Sequence, residues 1–205
     1  MNLKSTSNTP TDHAFLSPSK FSWIRYDKEK LVKAFYNYMN VERGTKLHAI
    51  AADLISEKIV QKNLHKTFNM YVNDAIKYKM EPEKLLKWSD NLFGTADALA
   101  FDGKLLRIHD LKTGVGKVHM DQLKIYAGLY CLTKRIDPTT IEFELRLYWQ
   151  DEVIIENPEP EEIIDFMNRM LEADKIITEI REQEGYNVYW WIIPCWDTTK
   201  VCWRP

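Results

Sequence analysis

Phe93-Gly94-Thr95-Ala96-Asp97-Ala98-Leu99-Ala100-Phe101-Asp102-Gly103-Lys104-Leu105-Leu106-Arg107-Ile108-His109-Asp110-Leu111-Lys112-Thr113-Gly114 is the stretch on which the fold turns. Two apolar runs, Phe93–Phe101 and Leu105–Leu111, flank Asp102-Gly103, a dipeptide suited to a tight primed turn because both positions must tolerate positive φ. The stretch therefore reads as a β-hairpin. Side chains two apart on a strand share a face, so Asp110 and Lys112 point the same way, and Asp97 reaches them across the hairpin if the register allows. Two carboxylates aimed at one point make a hard oxygen site for Mg2+ or Mn2+, which keep waters and take phosphate oxygens as further ligands. Lys112 beside them offsets phosphate charge or orients an attacking water. An Asp-x-Lys pair also recurs by chance, and a structural ion pair is the plain alternative.

Upstream of the hairpin the periodicity is helical. Ser17 and Pro18 suit the start of a first helix, and Asp27 is an N-cap for residues 28–38, with Leu31, Phe35 and Tyr38 on one stripe. Gly44 precedes a second run carrying Leu47, Ile50, Ala51, Leu54 and Ile55, and residues 64–78 read as a third helix. Downstream, residues 118–134 return to helical spacing until Asp137-Pro138. Residues 140–149 alternate as Ile141, Phe143, Leu145 and Leu147 against Glu142, Glu144, Arg146 and Tyr148, a strand with one polar face, and residues 153–155 continue the sheet. Pro160 opens an acidic helix to about residue 183, which Gly185 stops. The expected fold is α/β, a mixed β-sheet flanked by helices behind an N-terminal helical region. The expected layout is a flexible arm over residues 1–16 and one domain over 17–205. Within that domain, 17–90 are helical, 91–156 hold the central sheet and helix, 157–184 form the acidic helix and 185–205 an aromatic tail.

The chain's 205 residues, 45% hydrophobic and 28% charged, suit one soluble core. No apolar run approaches the ~20 residues of a membrane helix, and residues 1–18 lack the apolar stretch of a signal peptide, so a cytoplasmic protein with no membrane contact is expected. Cys131, Cys195 and Cys202 are odd in number and form no CxxC pair, which encodes neither a disulfide framework nor a four-cysteine metal site. The net charge of -2 is unevenly spread: residues 17–80 hold 12 Lys/Arg against 6 Asp/Glu, and residues 141–184 hold 4 against 14. One end is thus suited to phosphates, unless both runs are simply solvated helix faces.

Gly94-Thr95-Ala96-Asp97-Ala98, then Asp110-Leu111-Lys112-Thr113-Gly114, then Gln122-Leu123-Lys124-Ile125-Tyr126-Ala127 resemble, in order and spacing, the successive motifs of RecB-like exonucleases in the PD-(D/E)XK (restriction-endonuclease-like) nuclease superfamily. Gly44-Thr45-Lys46-Leu47-His48 resembles that group's G-x-x-x-H motif, and Ser17-Pro18-Ser19-Lys20-Phe21 its opening helix, so the likeness covers about residues 17–156. The resemblance implies a PD-(D/E)XK core and divalent-metal-dependent exodeoxyribonuclease activity on linear DNA, single- or double-stranded, in phage or bacterial recombination, repair or replication. It implies that Asp97 and Asp110 bind metal with the Leu111 carbonyl, that His48 adds a nitrogen ligand, and that Lys112 is the catalytic lysine. Gln122 and Tyr126, four apart on one helix face, would help hold the DNA strand or the lysine. An imidazole among carboxylates favours Mn2+ relative to an all-oxygen site. The cysteines are not placed as in iron-sulfur members, so no iron-sulfur cluster is expected. The acid often found after the histidine has no clear match, Asp53 and Glu57 being the nearby candidates.

His109 alternates away from Asp110 and is expected to be structural; His119 is a weaker candidate for DNA contact. Thr113 and Gly114 offer a close backbone approach to a phosphate. The aromatic run Tyr189-Trp190-Trp191, continuing to Trp196 and Trp203, is expected first to pack as core or an added strand. Contact with a second copy or a partner protein ranks next, and stacking on bases third. The rival readings are a catalytically silent DNA- or protein-binding module on the same fold, and a structure-specific or restriction-type endonuclease.

Overall fold

In the computed structural model the described residues are 14–114 and 116–191, with side chains described as far as Glu184. Five strands form one sheet in the order β1-β2-β3-β4-β5: β1 (Glu81–Lys87), β2 (Phe93–Phe101), β3 (Leu105–Leu111), β4 (Glu142–Trp149) and β5 (Glu152–Glu156). All neighbours are antiparallel except β3 and β4, which run parallel and therefore need a crossover. Helix α3 (Asp121–Lys134) supplies it, covering one sheet face together with α4 (Pro160–Trp191). Helices α1 (Lys28–Ser56) and α2 (Thr67–Lys77) cover the other. The chain is thus an α/β protein with a mixed sheet between helices, and its two apolar layers meet that sheet from either side. Among the described residues no helix is long and apolar enough to cross a membrane.

The hairpin stands where the sequence places it, but its turn differs. Asp102 does not take positive φ; only Gly103 does (φ 99°), and the Asp102 carboxylate accepts the amides of Lys104 and Leu105 at 3.0 and 2.8 Å. Positive φ at two consecutive residues occurs instead at Gln150 (49°) and Asp151 (61°), between β4 and β5. Neither is glycine, and Asp151 compensates by capping α2, accepting from the Thr67 amide at 2.9 Å and from Lys66 Nζ at 2.7 Å. Lys66 and then Thr67 hold the Asp151 carboxyl down at about 2.

Four helical boundaries also depart from expectation. The two helices read around Gly44 are one 29-residue helix, begun where expected by the Asp27 carboxylate on the Lys30 amide. A Cβ at Gly44 would lie 3.0 Å from Thr113 Oγ1, so glycine there admits the chain leaving β3 rather than breaking the helix. Helix α2 begins at Thr67 and α3 at Asp121, both three residues later than expected. Helix α4 passes through Gly185, whose cost of about 1 kcal/mol in a helix interior does not stop it. Phe15, within the stretch expected as an arm, packs edge-on against Phe35 of α1. Residues 1–13 and 192–205, with Cys195, Cys202, Trp196 and Trp203, lie outside the described residues.

The polar face of β4 is covered rather than solvated. Arg146 bonds Glu144 on its own strand and Asp74 of α2, each at 3.1 Å, and Tyr148 gives its hydroxyl to Asp74 at 2.7 Å. On the opposite face, a Cβ at Gly128 of α3 would meet Met170 at 2.7 Å and Met167 at 3.0 Å of α4. Gly128→Val is therefore expected to push α4 outward and cost about 1 to 3 kcal/mol, read as a lower urea midpoint at unchanged slope.

Candidate active site

Asp97 sits where the sheet comes apart locally. The β2–β3 ladder ends at Ala98 opposite His109, and beyond it the Leu111 amide donates not to a backbone carbonyl but to Asp97 Oδ2 at 2.8 Å. On the other side, the β1–β2 register runs through Pro82↔Ala98 and Lys84↔Ala96, which sets Glu83 directly opposite Asp97. Glu83 has φ 49°, a left-handed conformation that costs a non-glycine residue of order 1 kcal/mol or more and persists only where the surroundings impose it. The alternation of β2 also reverses here: Ala96 packs on the α3 side, whereas beyond Asp97 it is Leu99 and Phe101 that do. This break frees Asp97 to bond Leu111 with one oxygen and turn the other to α1.

That other oxygen, Oδ1, lies 3.2 Å from His48 Nδ1. His48 is one turn past Gly44, on the side of α1 that meets the chain leaving β3, so the Gly44 approach and the His48 contact are one docking event. One ligand atom each of His48, Glu83 and Asp97 lie within 4.8 Å of one another. Two carboxylates directly across a strand pair repel, and a shared cation is what makes such a pair favourable. Desolvation and then Asp97 raise the Glu83 carboxyl, and the hydrogen bond to Asp97 raises the His48 imidazole.

Asp110 stands beside this cluster rather than in it. Its side chain is 5% exposed, and burial followed by Asp97 raises its carboxyl. Lys112 Nζ donates to Asp110 Oδ1 at 3.1 Å and lies 2.9 Å from Oδ2 without hydrogen-bond geometry, leaving Oδ2 buried and unsatisfied. A buried carboxylate oxygen with no donor is the feature a bound cation would complete. The same ammonium donates to Gln122 Oε1 of α3 at 2.6 Å. Tyr126 lies one turn further along α3, and its ring packs against Gly94, where a Cβ would stand 3.0 Å from it. Lys112 is thereby fixed between Asp110 and α3.

The structure thus places His48, Asp97, Asp110, Lys112, Gln122 and Tyr126 in one neighbourhood. Leu111 enters through its amide; a ligand role for its carbonyl rests on the resemblance alone. His109 is fully buried under α2, with Nδ1 3.2 Å from the Tyr148 hydroxyl, and burial depresses it to about 3, so it is a neutral core group. His119 is exposed beside Lys112, lining a cavity of about 310 Å³. Asp53 and Glu57 do not join the cluster among the described residues. Glu83 joins the cluster instead, and Tyr71, buried on α2, lies close to its carboxylates; neither belongs to the motifs. The Tyr71 hydroxyl is kept neutral by burial and then by Asp97, Glu83 and Asp110. Comparison with protein-family models, curated proteins and solved structures returns no match for this chain.

The raised groups fix a pH dependence. A group raised in the folded chain stabilises it fully below its unfolded pKa, and that contribution is lost as pH climbs through the folded value. For His48 this begins at 6.5 and for Asp110 at 3.8, and a cation held by these groups would have to displace those protons. Mn2+ is therefore expected to raise the melting temperature more at about pH 8 than at about pH 6, measured by scanning fluorimetry against EDTA.

Proposed function

We propose that this chain is a divalent-metal-dependent nuclease of the PD-(D/E)XK kind, acting from the ends of linear DNA. The observation that carries the reading is the opened hairpin. Asp97 leaves the ladder to take the Leu111 amide, and Asp110 and Lys112 stand alongside with His48 and Glu83 converging. The donor set fits the expected ion: three carboxylates and one imidazole suit Mn2+ well and Mg2+ acceptably. His48, Glu83 and Asp97 would hold it, with Asp110 Oδ2 on the adjoining side. Such an ion, when bound, polarises a phosphodiester and lowers the pKa of water.

The remaining work falls to the chain's own groups. Lys112 carries a positive charge at the edge of the acidic cluster, where it neutralises charge building on the phosphate and orients the attacking water. Gln122 holds that ammonium in place, acting through it rather than on the substrate. Tyr126, seated against Gly94, stands one turn beyond Gln122 on the same helix face, where it would help hold the DNA strand. End-directed action rests on the family resemblance, and the substrate tests it. With Mn2+ or Mg2+, the protein is expected to degrade end-labelled single- or double-stranded linear DNA, spare a closed circle and fall silent in EDTA. Cutting of the circle would make it an endonuclease. Inertness of wild type on every substrate and metal would make it a silent binding module.

A further inference from the structure

Among the described residues, the first half of α1 and the last turns of α4 both carry apolar faces that nothing covers. In α1 the buried residues are Ala51 and Ile55, at its far end; none of residues 28–43 is buried. Over that half, Val32, Phe35, Tyr36 and Met39 line, with Phe15 and Leu16, a groove of about 800 Å³. Tyr36 is 63% exposed and Met39 47%. In α4, Ile163 and Met170 pack on α3, and the last described tie to the body is Thr178 to Asn91 at 3.0 Å. Past Met170 the same helix presents Ile176, Ile177 and Ile180, each 42 to 49% exposed. Contiguous exposed apolar surface of this kind marks an interaction site.

The segments that carry the two faces differ in sign of charge. Residues 17–43 hold six Lys/Arg against three Asp/Glu, and residues 171–184 hold two against five. Like faces brought together would set cation against cation or acid against acid, whereas unlike faces attract. Among the described residues both are uncovered, so neither covers the other. We infer that the occupant of the α1 groove is a second copy of this chain, which inserts the Ile176, Ile177 and Ile180 face of its α4 between acids that meet the lysines of α1. The contact is head-to-tail, so every chain has one donor face and one acceptor face, and assembly continues until a ring closes or a filament grows. It does not depend on the nuclease reading.

Sedimentation velocity on the full chain tests this. Wild type is expected to associate beyond the monomer with rising concentration, and less so at high salt, because the complementary charges are solvent-exposed. Tyr36→Glu with Met39→Glu removes the groove; Ile177→Glu with Ile180→Glu removes the inserted face. All four positions are exposed, and circular dichroism checks that both variants fold. Each variant alone is expected to be monomeric, and an equal mixture to form a heterodimer and nothing larger, because one intact face of each kind remains. Three results would overturn the proposal: a wild type monomeric at every concentration, association surviving in either variant alone, or a mixture that stays monomeric.

Discussion

Lys112→Ala is expected to slow phosphodiester hydrolysis by on the order of 10³-fold while leaving divalent-cation affinity at alkaline pH within a few-fold of wild type. The lysine touches no member of the His48, Glu83 and Asp97 cluster directly; it donates to Asp110 and to Gln122. Losing it removes a charge that matters most as the phosphate gains negative charge, not the atoms that would hold the ion. A second consequence follows for Asp110, whose raised carboxyl is partly offset by Lys112. Without that offset it rises further, so the affinity of the variant falls off at higher pH than that of wild type. Gln122→Ala is the graded control: acting through Lys112, it is expected to cost about 10- to 100-fold. Single-turnover cleavage and calorimetric titration with Mn2+ separate the two quantities, and a Lys112→Ala protein with wild-type cleavage would remove the lysine from the mechanism.

Arg146→Ala carries the largest expected loss of stability outside the apolar core, about 3 to 5 kcal/mol. Its guanidinium, 14% exposed, bonds Glu144, Asp74 and the Tyr78 hydroxyl and lies 4.9 Å over the Tyr78 ring. Truncation leaves Glu144 with Arg107 alone and Asp74 with Tyr148 alone, both partly buried between α2 and the sheet. Arg146→Met restores packing without charge and is expected to fall nearly as far, because Asp74 and Glu144 still lose the guanidinium between them. Adding Asp74→Asn to Arg146→Met should then recover part of the loss. Urea denaturation of the three variants measures this, and a loss under 1 kcal/mol in Arg146→Ala would show the pair to be solvated.

The hairpin, α3, β4 and β5 were legible because period-two and helical patterns are strong there and Asp137-Pro138 punctuates them. Glu81-Pro82-Glu83-Lys84-Leu85-Leu86-Lys87 was not read as a strand because it has no alternation and carries a proline. It is an edge strand, where both are tolerated. With β1 went Glu83, whose place opposite Asp97 is a property of strand register and cannot be seen along the chain. Gly44 and Gly185 read as stops because glycine is poor in helices; at Gly44 the close approach of Thr113 explains the residue, a contact across about 70 positions. Tyr71 lay hidden in an ordinary apolar stripe. The primed turn went to Gln150-Asp151 rather than Asp102-Gly103 because Asp151 is tied to Thr67 and Lys66, a tertiary bond overriding the local preference.

The most direct test of the account is a Mn2+ titration in which hydrolysis of a fluorescent linear DNA is followed beside ion binding, in wild type and Asp97→Asn. Asparagine keeps an acceptor for the Leu111 amide but removes the charge that His48 and a cation share. The expected result is hydrolysis that rises and saturates with occupancy of the site in wild type, with both binding and hydrolysis lost in the variant. Hydrolysis that persists in EDTA, or an Asp97→Asn protein that binds Mn2+ and cuts DNA as wild type does, would contradict it.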